Sequence, residues 1–433
     1  MNTLILLALV LPLGHFVAVG MLWLLGFHPS ERSLSGTSRW VYGIAFAVFS
    51  LEGFLMLWHH QSSNRLQFGD WFATEHSHFG ITLTVDRWSL PVLWLTSVLV
   101  GVVASFSSRY LHREDGYLRF FSLLNLFAFG AFLVVVAGSL DLLTVGWELV
   151  GITSVLLIGF FRNRPEPVRN ALIVFVYYRL SDVFLIGAVL LGHLWLESVE
   201  MAELVRTPPS ARATTVAVLL VLAACGKSST GPFFGWLPRA MEGPTPSSAI
   251  FYGGISIHLG AFLLLRVQPL IAGSVLATAT VLVSGALTAG FGTLLHRSSS
   301  DAKTSLSYAT QTQLGLVFVE IGLGWTTIAM VHLLGHAIAR TAQFLRAPSM
   351  LHEHQHVHAA AGGPLEPTGV HFETWLPRSL QRWLYRVALG AGLYETVVDR
   401  LLVKPVCAVA RGLAALEPAP RAGRSPSPPS SFR

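Results

Sequence analysis

Gly226-Lys227-Ser228-Ser229-Thr230-Gly231-Pro232, followed by Trp236-Leu237-Pro238-Arg239-Ala240-Met241-Glu242-Gly243-Pro244-Thr245-Pro246-Ser247-Ser248-Ala249, decides the fold of this chain. An apolar run over residues 214–224 leads into it, and a second over 250–265 leaves it. A lysine therefore stands between two apolar helices, beside glycines and prolines that end helices. At membrane depth, non-helical backbone is tolerated only where protein buries it or water reaches it. An ionisable side chain there marks an ion or proton path by default. The alternative is a static pair with a carboxylate that holds helices together. The chain has only three lysines, Lys227, Lys303 and Lys404. Arginine does not surrender its proton in a protein, whereas a desolvated lysine can.

The surroundings are those of a membrane protein. Hydrophobic residues make up 52% of the 433 and charged residues 12%, with mean hydropathy +0.58; soluble domains carry about 25% charged residues. The expected fold is all-α and polytopic, with about 11 transmembrane helices of roughly 20 residues and a broken helix around Lys227. The spans are read at 2–27, 40–58, 88–107, 120–138, 140–161, 171–196, 214–224, 250–265, 270–295, 306–324 and 326–345. Residues 65–86 alternate in character and read as an exposed hairpin. Residues 1–346 thus form a transmembrane domain. A His-rich polar linker over 347–374 carries His352, His354, His356 and His358; a solvated linker is the first reading and a zinc site the second. An amphipathic cytoplasmic helix is expected over 375–416, and a disordered Pro/Ser/Arg tail over 417–433.

Function classes narrow accordingly. The formal net charge of +6 comes mostly from loop arginine, so it speaks to topology and not to nucleic acid. Arg109, Arg113, Arg119, Arg162, Arg164 and Arg169 fall on one side. Arg65, Arg87, Arg206, Arg212 and Arg266 fall on the other. The bias predicts an outside N-terminus and a cytoplasmic C-terminus. Cys225 and Cys407 form no disulfide framework and no metal motif. No pattern for NADH, flavin, quinone or iron–sulfur is present, so no cofactor and no redox centre is expected. The chain reads as a transporter subunit, not an enzyme.

Several intramembrane groups suit proton transfer. Glu148 lies mid-span in Trp147-Glu148-Leu149-Val150-Gly151. Arg179 and Asp182 are spaced i, i+3, which allows one helix face and a tuning or structural role. His258 follows the opening stretch, as a relay or as a satisfied core residue. Lys303 sits near a helix start, to mediate inner access or to anchor at the interface. His332 and His336, four apart, share a face as a relay or as helix–helix hydrogen-bond partners. Glu320 is a further intramembrane carboxylate, and Glu52 reads as a static contact.

Lys-Ser-x-x-x-Pro…Trp-Leu-Pro-x-Ala-Met-x-Gly-Pro-Thr-Pro-x-Ser-Ala resembles the signature of the antiporter-like membrane subunits of respiratory complex I, especially the L type, with relatives in Mrp antiporters. Trp-Glu-Leu-Val-Gly-x-x-Ser-x-Leu-Leu-Ile-Gly-Phe from Trp147 and the Asp301-Ala-Lys303…Gln313-Leu-Gly315 element resemble the same family. The resemblance implies that Glu148 pairs with Lys227 and that separating the pair releases the lysine proton. The chain departs from the pattern in two ways. It has no helix run after the eleventh span and no long lateral helix. It also has Tyr252 where the family has histidine, with His258 a turn and a half later.

Val331-His332-Leu-Leu-Gly335-His336-Ala…Arg340-Thr-Ala-Gln-Phe-Leu-Arg346-Ala-Pro-Ser349-Met-Leu-His352, with Tyr252-Gly253 and His258, resembles a narrower branch. That branch is the DabB membrane subunits of DAB-type inorganic carbon transporters. This resemblance implies a large cytoplasmic DabA-like partner with a carbonic-anhydrase-like zinc site. It further implies proton flow through this chain and a bacterial inner membrane, with the zinc in the partner and none here.

Overall fold

The computed structural model describes residues 2–73, 78–196, 198–299, 301–360 and 376–389, together with 400, 404–405, 408–409 and 411–412. The apolar runs become helices, several of them started by a side-chain cap or a proline. The first six helices are α1 (Asn2–Leu24), α2 (Glu31–Trp58), α3 (Ser89–Tyr110), α4 (Tyr117–Val136), α5 (Leu140–Ile158) and α6 (Pro165–Leu196). Ser30 and Ser139 cap α2 and α5 by accepting from N–H groups three residues on, and Asp86 Oδ1 accepts from the Trp88 and Ser89 N–H groups ahead of α3. A side-chain cap satisfies amides that the helix itself leaves open.

α4 is the inner helix, with Phe120, Phe121, Leu124, Phe127, Ala128, Ala131 and Phe132 all buried. It meets α5 at two glycines: a Cβ on Gly146 would lie 2.7 Å from Gly130 O. Without a hydrophobic force between helices in lipid, such close backbone approach carries the packing. The lipid-side surface is apolar, as at Trp40, Phe54, Val183, Leu190, Leu276 and Val331.

β1 (Ser63–Ala73) and β2 (His78–Asp86) form the expected hairpin, antiparallel with Ser63 opposite Asp86. It is less exposed than its alternation suggested. Leu66, Thr82, Leu83 and Val85 are buried, and Gly138 N donates to Thr82 O at 2.8 Å. Leu66, Leu83 and Val85 share the inward face, while Thr82 on the other face is covered by Gly138 and Glu200 at one end of α4 and α5. Asn64 Nδ2 donates to the buried Glu52 at 2.8 Å, which ties the hairpin to α2 and gives Glu52 its static contact.

The seventh span ends early, as expected. α7 (Ala211–Lys227) stops at Lys227. Two 3₁₀ turns follow, at Phe234–Trp236 and Pro238–Glu242. The break extends into the eighth span, which the sequence presented as a plain apolar run. Thr245–Ser247 opens it, Ser248–Gly254 is a π-helix, and Ser256–His258 is 3₁₀. Only α8 (Leu259–Arg266) is regular. Gly253 and Gly254 explain the widening. They abut the neighbouring helix, where a Cβ on Gly253 would meet Phe344 at 2.9 Å and Arg340 O at 3.1 Å.

α9 (Val275–Ser298), α10 (Ala302–Gly322) and α11 (Thr326–Ala360) complete the bundle. Eight of the described segments are long and apolar enough to cross a membrane by themselves, Thr245–Arg266 among them. α7, α10 and α11 are not among those eight; α7 is short, and α10 and α11 carry the interior polar groups described below. α11 runs on to Ala360, through His352, His354, His356 and His358, so the expected linker is helical as far as 360. Its remainder, 361–374, lies outside the described residues. Of the predicted 375–416 amphipathic helix, α12 (Arg378–Leu389) is present; most of the rest, and the whole 417–433 tail, lie outside them. Met1–Leu389 is one compact unit and Gly390–Arg433 a second.

Candidate functional site

α7 delivers Lys227 into the middle of the bundle, where the side chain is 2% exposed. Its Nζ donates to Trp147 O at 2.9 Å and lies 4.8 Å from the Trp147 ring centre and 5.2 Å from that of Tyr178. A carbonyl and two aromatic faces thus replace the water of the ammonium group. The expected pairing with Glu148 is corrected: among the described residues Glu148 pairs with Arg179. Arg179 Nη2 also holds Asp182 Oδ2 at 2.8 Å, and Asp182 Oδ1 accepts from Trp147 Nε1 at 2.9 Å. One planar guanidinium satisfies two carboxylates from α5 and α6, a fit that a lysine point charge lacks. Arg179 and Asp182 therefore belong to the lysine's own charge cluster. Two cations face two anions, which makes the set neutral. Gly151 keeps the space between the cations clear: a Cβ there would lie 3.6 Å from Lys227 Nζ and 3.9 Å from Arg179 Nη2.

A hydroxyl chain begins at Tyr178, whose ring face covers the lysine. Ser154 Oγ lies 3.2 Å from Tyr178 OH and 2.8 Å from Tyr252 OH, and all three residues are buried. Sequence reasoning assigned Tyr178 and Ser154 no role, although Ser154 stands inside the motif that begins at Trp147 and Tyr178 directly precedes Arg179. Tyr252 lies in the π-helix, so the chain ends on the broken segment.

The same segment carries His258, which joins a second group. His258 Nε2 is 2.9 Å from His336 Nδ1, and His336 Nε2 accepts from Arg340 Nε at 3.4 Å. The His332 ring lies 6.3 Å from that of His336. His332 bonds Glu320 Oε1 at 2.9 Å through Nδ1 and Gln313 Oε1 at 3.1 Å through Nε2. The structure therefore brings His258, His332, His336 and Glu320 together. Neutral imidazole has one donor and one acceptor nitrogen, so a chain of imidazoles passes a proton by exchanging tautomers.

Lys303 joins neither group. Its Nζ donates to Met241 O at 3.3 Å and Gly243 O at 3.1 Å, which anchors the loop after the break. Gln311, two residues before Gln313 and so on another face of α10, was not singled out in the sequence. Its Nε2 donates to Ser229 Oγ at 2.9 Å, Ser229 O at 3.3 Å and Phe234 O at 2.5 Å. It supplies donors to backbone carbonyls that the broken helix leaves open, and only tertiary packing puts it there. No group of three metal-ligating side chains occurs among the described residues.

Comparison with known proteins agrees with this geometry. The family model "NADH:quinone oxidoreductase/Mrp antiporter, TM" matches residues 137–362, and the complex I chain 5 N-terminal model matches 71–121. The chain is 30% identical over 352 residues to the chloroplastic NAD(P)H-quinone oxidoreductase subunit 5 of Chaetosphaeridium globosum, covering 78% of this chain and 52% of that protein. It is 34% identical over 300 residues to the probable inorganic carbon transporter subunit DabB1 of Halothiobacillus neapolitanus, covering 64% and 54%. It spans about half the length of these curated relatives. In the solved Mrp complex from Dietzia sp. DQ12-45-1b, a chain shares the fold with TM-score 0.68 and 24% identity, over 78% of this chain and 37% of that one. With its lysine at a helix break and the family match across the whole of that break, the chain belongs to the transmembrane family of NADH:quinone oxidoreductases and Mrp antiporters.

Proposed function

We propose that this chain is the proton-translocating membrane subunit of an energy-coupled inorganic carbon pump, working with a cytoplasmic carbonic-anhydrase-like partner that holds the zinc. The observation that carries the proton step is the neutral cluster of Lys227, Arg179, Glu148 and Asp182 at the helix break. A proton that neutralises either carboxylate leaves two cations against one anion. Around the buried lysine that repulsion favours handing its proton onward. Tyr178, Ser154 and Tyr252 lead away from the lysine, and the histidine group begins a turn and a half later on the same segment. The carbon substrate rests on the likeness to DabB1 and on the histidines of α11. The alternative is an H+ or Na+ antiporter-like subunit of a complex I or Mrp-type assembly, supported by the likeness to quinone oxidoreductase subunit 5.

The test uses a host that lacks carbonic anhydrase and needs added bicarbonate or high CO2. The chain is expressed alone, with its genomic neighbour, and as Lys227→Ala with that neighbour. Growth in air only with the neighbour, abolished by Lys227→Ala in an assembled complex and by an uncoupler, is the expected result. A verified membrane complex that gives no growth rejects the carbon reading in favour of cation/proton antiport.

A further inference from the structure

Two cavities share the cleft between α3, α8 and α11. The larger holds about 480 Å³ at the end of the bundle away from Lys303, and Arg65 at its rim is 40% exposed. The smaller holds about 10 Å³, room for one water, and His258 lines it. Each helix sends one row of residues from the first to the second. At the start of α3, Trp88 lines the larger cavity, and Val92 and Leu95 line the smaller. On α8 the row is Arg266, then Phe262 and Leu259; on α11 it is Thr326, then Leu333. Spacings of three, four and seven residues keep each row on one helix face. His336, the hydrogen-bond partner of His258, continues the α11 row three residues after Leu333.

The partition between the two cavities is one turn thick on α3 and α8, roughly 6 Å. Phe262 is the bulkiest side chain that lines the smaller cavity, and it is buried at 1% exposure. Among the described residues His258 is the one titratable group there; the rest of the lining is apolar or glycine. An apolar constriction shuts out water, and with it protons, until a side chain moves. The place of Phe262 is fixed from the next turn of α8. Arg266 Nη1 donates to Asp86 Oδ2 at 2.5 Å, while Asp86 Oδ1 accepts from the N–H groups of Trp88 and Ser89. One carboxylate thus ties the end of α8 to the start of α3 beside the larger cavity.

We propose that this cleft is the route by which His258 exchanges protons with the side opposite Lys303, that Phe262 is its plug, and that the Asp86–Arg266 pair holds the plug in place. The inference rests on the proton-translocating reading above and assigns it an opening on that side. When Phe262 turns aside, water joins the larger cavity to the void, and a proton passes along it to or from the His258–His336 pair. Arg266 keeps its own proton throughout. His258 is then the first titratable group that a proton meets beyond the partition.

The experiment uses the full-length chain in membrane vesicles of known sidedness, without Cys225 and Cys407 and with His258→Cys. The probe is an impermeant methanethiosulfonate with a trimethylammonium head, added to one face at a time. With Phe262 present the thiol reacts slowly from both faces. Phe262→Ala speeds the reaction from the face opposite Lys303 by about tenfold or more, the factor that removing one buried aromatic side chain sets on an opening equilibrium. Asp86→Asn speeds it by a smaller factor. Leu264→Ala, buried on α8 but lining neither cavity, leaves the rate unchanged. With His258 intact, Phe262→Ala also raises the passive proton leak of proteoliposomes. An unchanged rate in Phe262→Ala overturns the route, and so does the same gain from the Lys303 face or in Leu264→Ala. A rate in Asp86→Asn equal to that with Asp86 intact overturns the holding pair. The labelling needs no transport. Absence of Lys227-dependent flux therefore rejects the proton-translocating reading, whereas such flux with unchanged labelling rejects this route alone.

Discussion

Among the described residues Lys227 touches no carboxylate, yet its charge is balanced. The balance runs through Trp147, whose carbonyl accepts from the lysine while its indole N–H holds Asp182. Replacing the lysine tests the charge that moves. In proteoliposomes, Lys227→Ala is expected to cut proton flux by about 100-fold, within the range for loss of a positioned proton-transfer group. Lys227→Arg is expected to fail as well, because guanidinium keeps its proton. Asp182→Ala leaves the Trp147 indole N–H without its acceptor and Arg179 with Glu148 alone. The expected loss of stability is about 1–3 kcal/mol, read as earlier thermal unfolding in detergent, with Asp182→Asn intermediate. His258 and His336 share one hydrogen bond and form one unit. His258→Gln and His336→Gln should each slow flux, and the double variant should be no slower than the worse single one. Multiplying effects would separate the two residues.

The helix break is built by elements pressing on small residues. A Cβ on Gly226 would lie 1.9 Å from Ser181 Cβ on α6, and one on Gly260 would lie 2.3 Å from Ser228 Oγ and 2.4 Å from Ala224 O. Gly226→Ala should therefore push α7 away from α6 and cost about 1–3 kcal/mol by overpacking. Gly290→Ala on the open face of α9 should be silent in the same unfolding assay. Gln311 holds the far side of the break with three hydrogen bonds from one amide nitrogen. Gln311→Leu keeps the volume but removes the donors. It should lower flux while Lys227 stays in place, and Gln311→Glu should not rescue, because a carboxylate repels the carbonyls that the amide serves.

Across the whole molecule, helix ends sort to two sides. Arg65, Asp86, Gly138, Glu200, Arg266 and Thr326 line one cavity of about 480 Å³, where Arg65–Glu200 and Arg266–Asp86 pair at 2.5 Å. Tyr110 with Thr245, Asn170 with Glu242 and Lys303 with Met241 meet at the other end. The arginine bias predicts that the second end is cytoplasmic. In a background without Cys225 and Cys407, Pro208→Cys in intact cells should react with a membrane-impermeant maleimide. Asn163→Cys should react only after lysis, and the reverse pattern would invert the topology. Hydropathy was enough to read the spans and their order, because lipid imposes its length and polarity on each helix separately. Lys227, Glu148, Arg179, Asp182 and the α11 histidines were legible for the same reason: charge in an apolar run stands out. Partners were not. That Glu148 pairs with Arg179, that Ser154 joins two tyrosines, that Gln311 threads the break and that 250–258 leaves the α-helix all depend on contacts between residues far apart in the chain. No local pattern encodes such contacts; only packing brought them together.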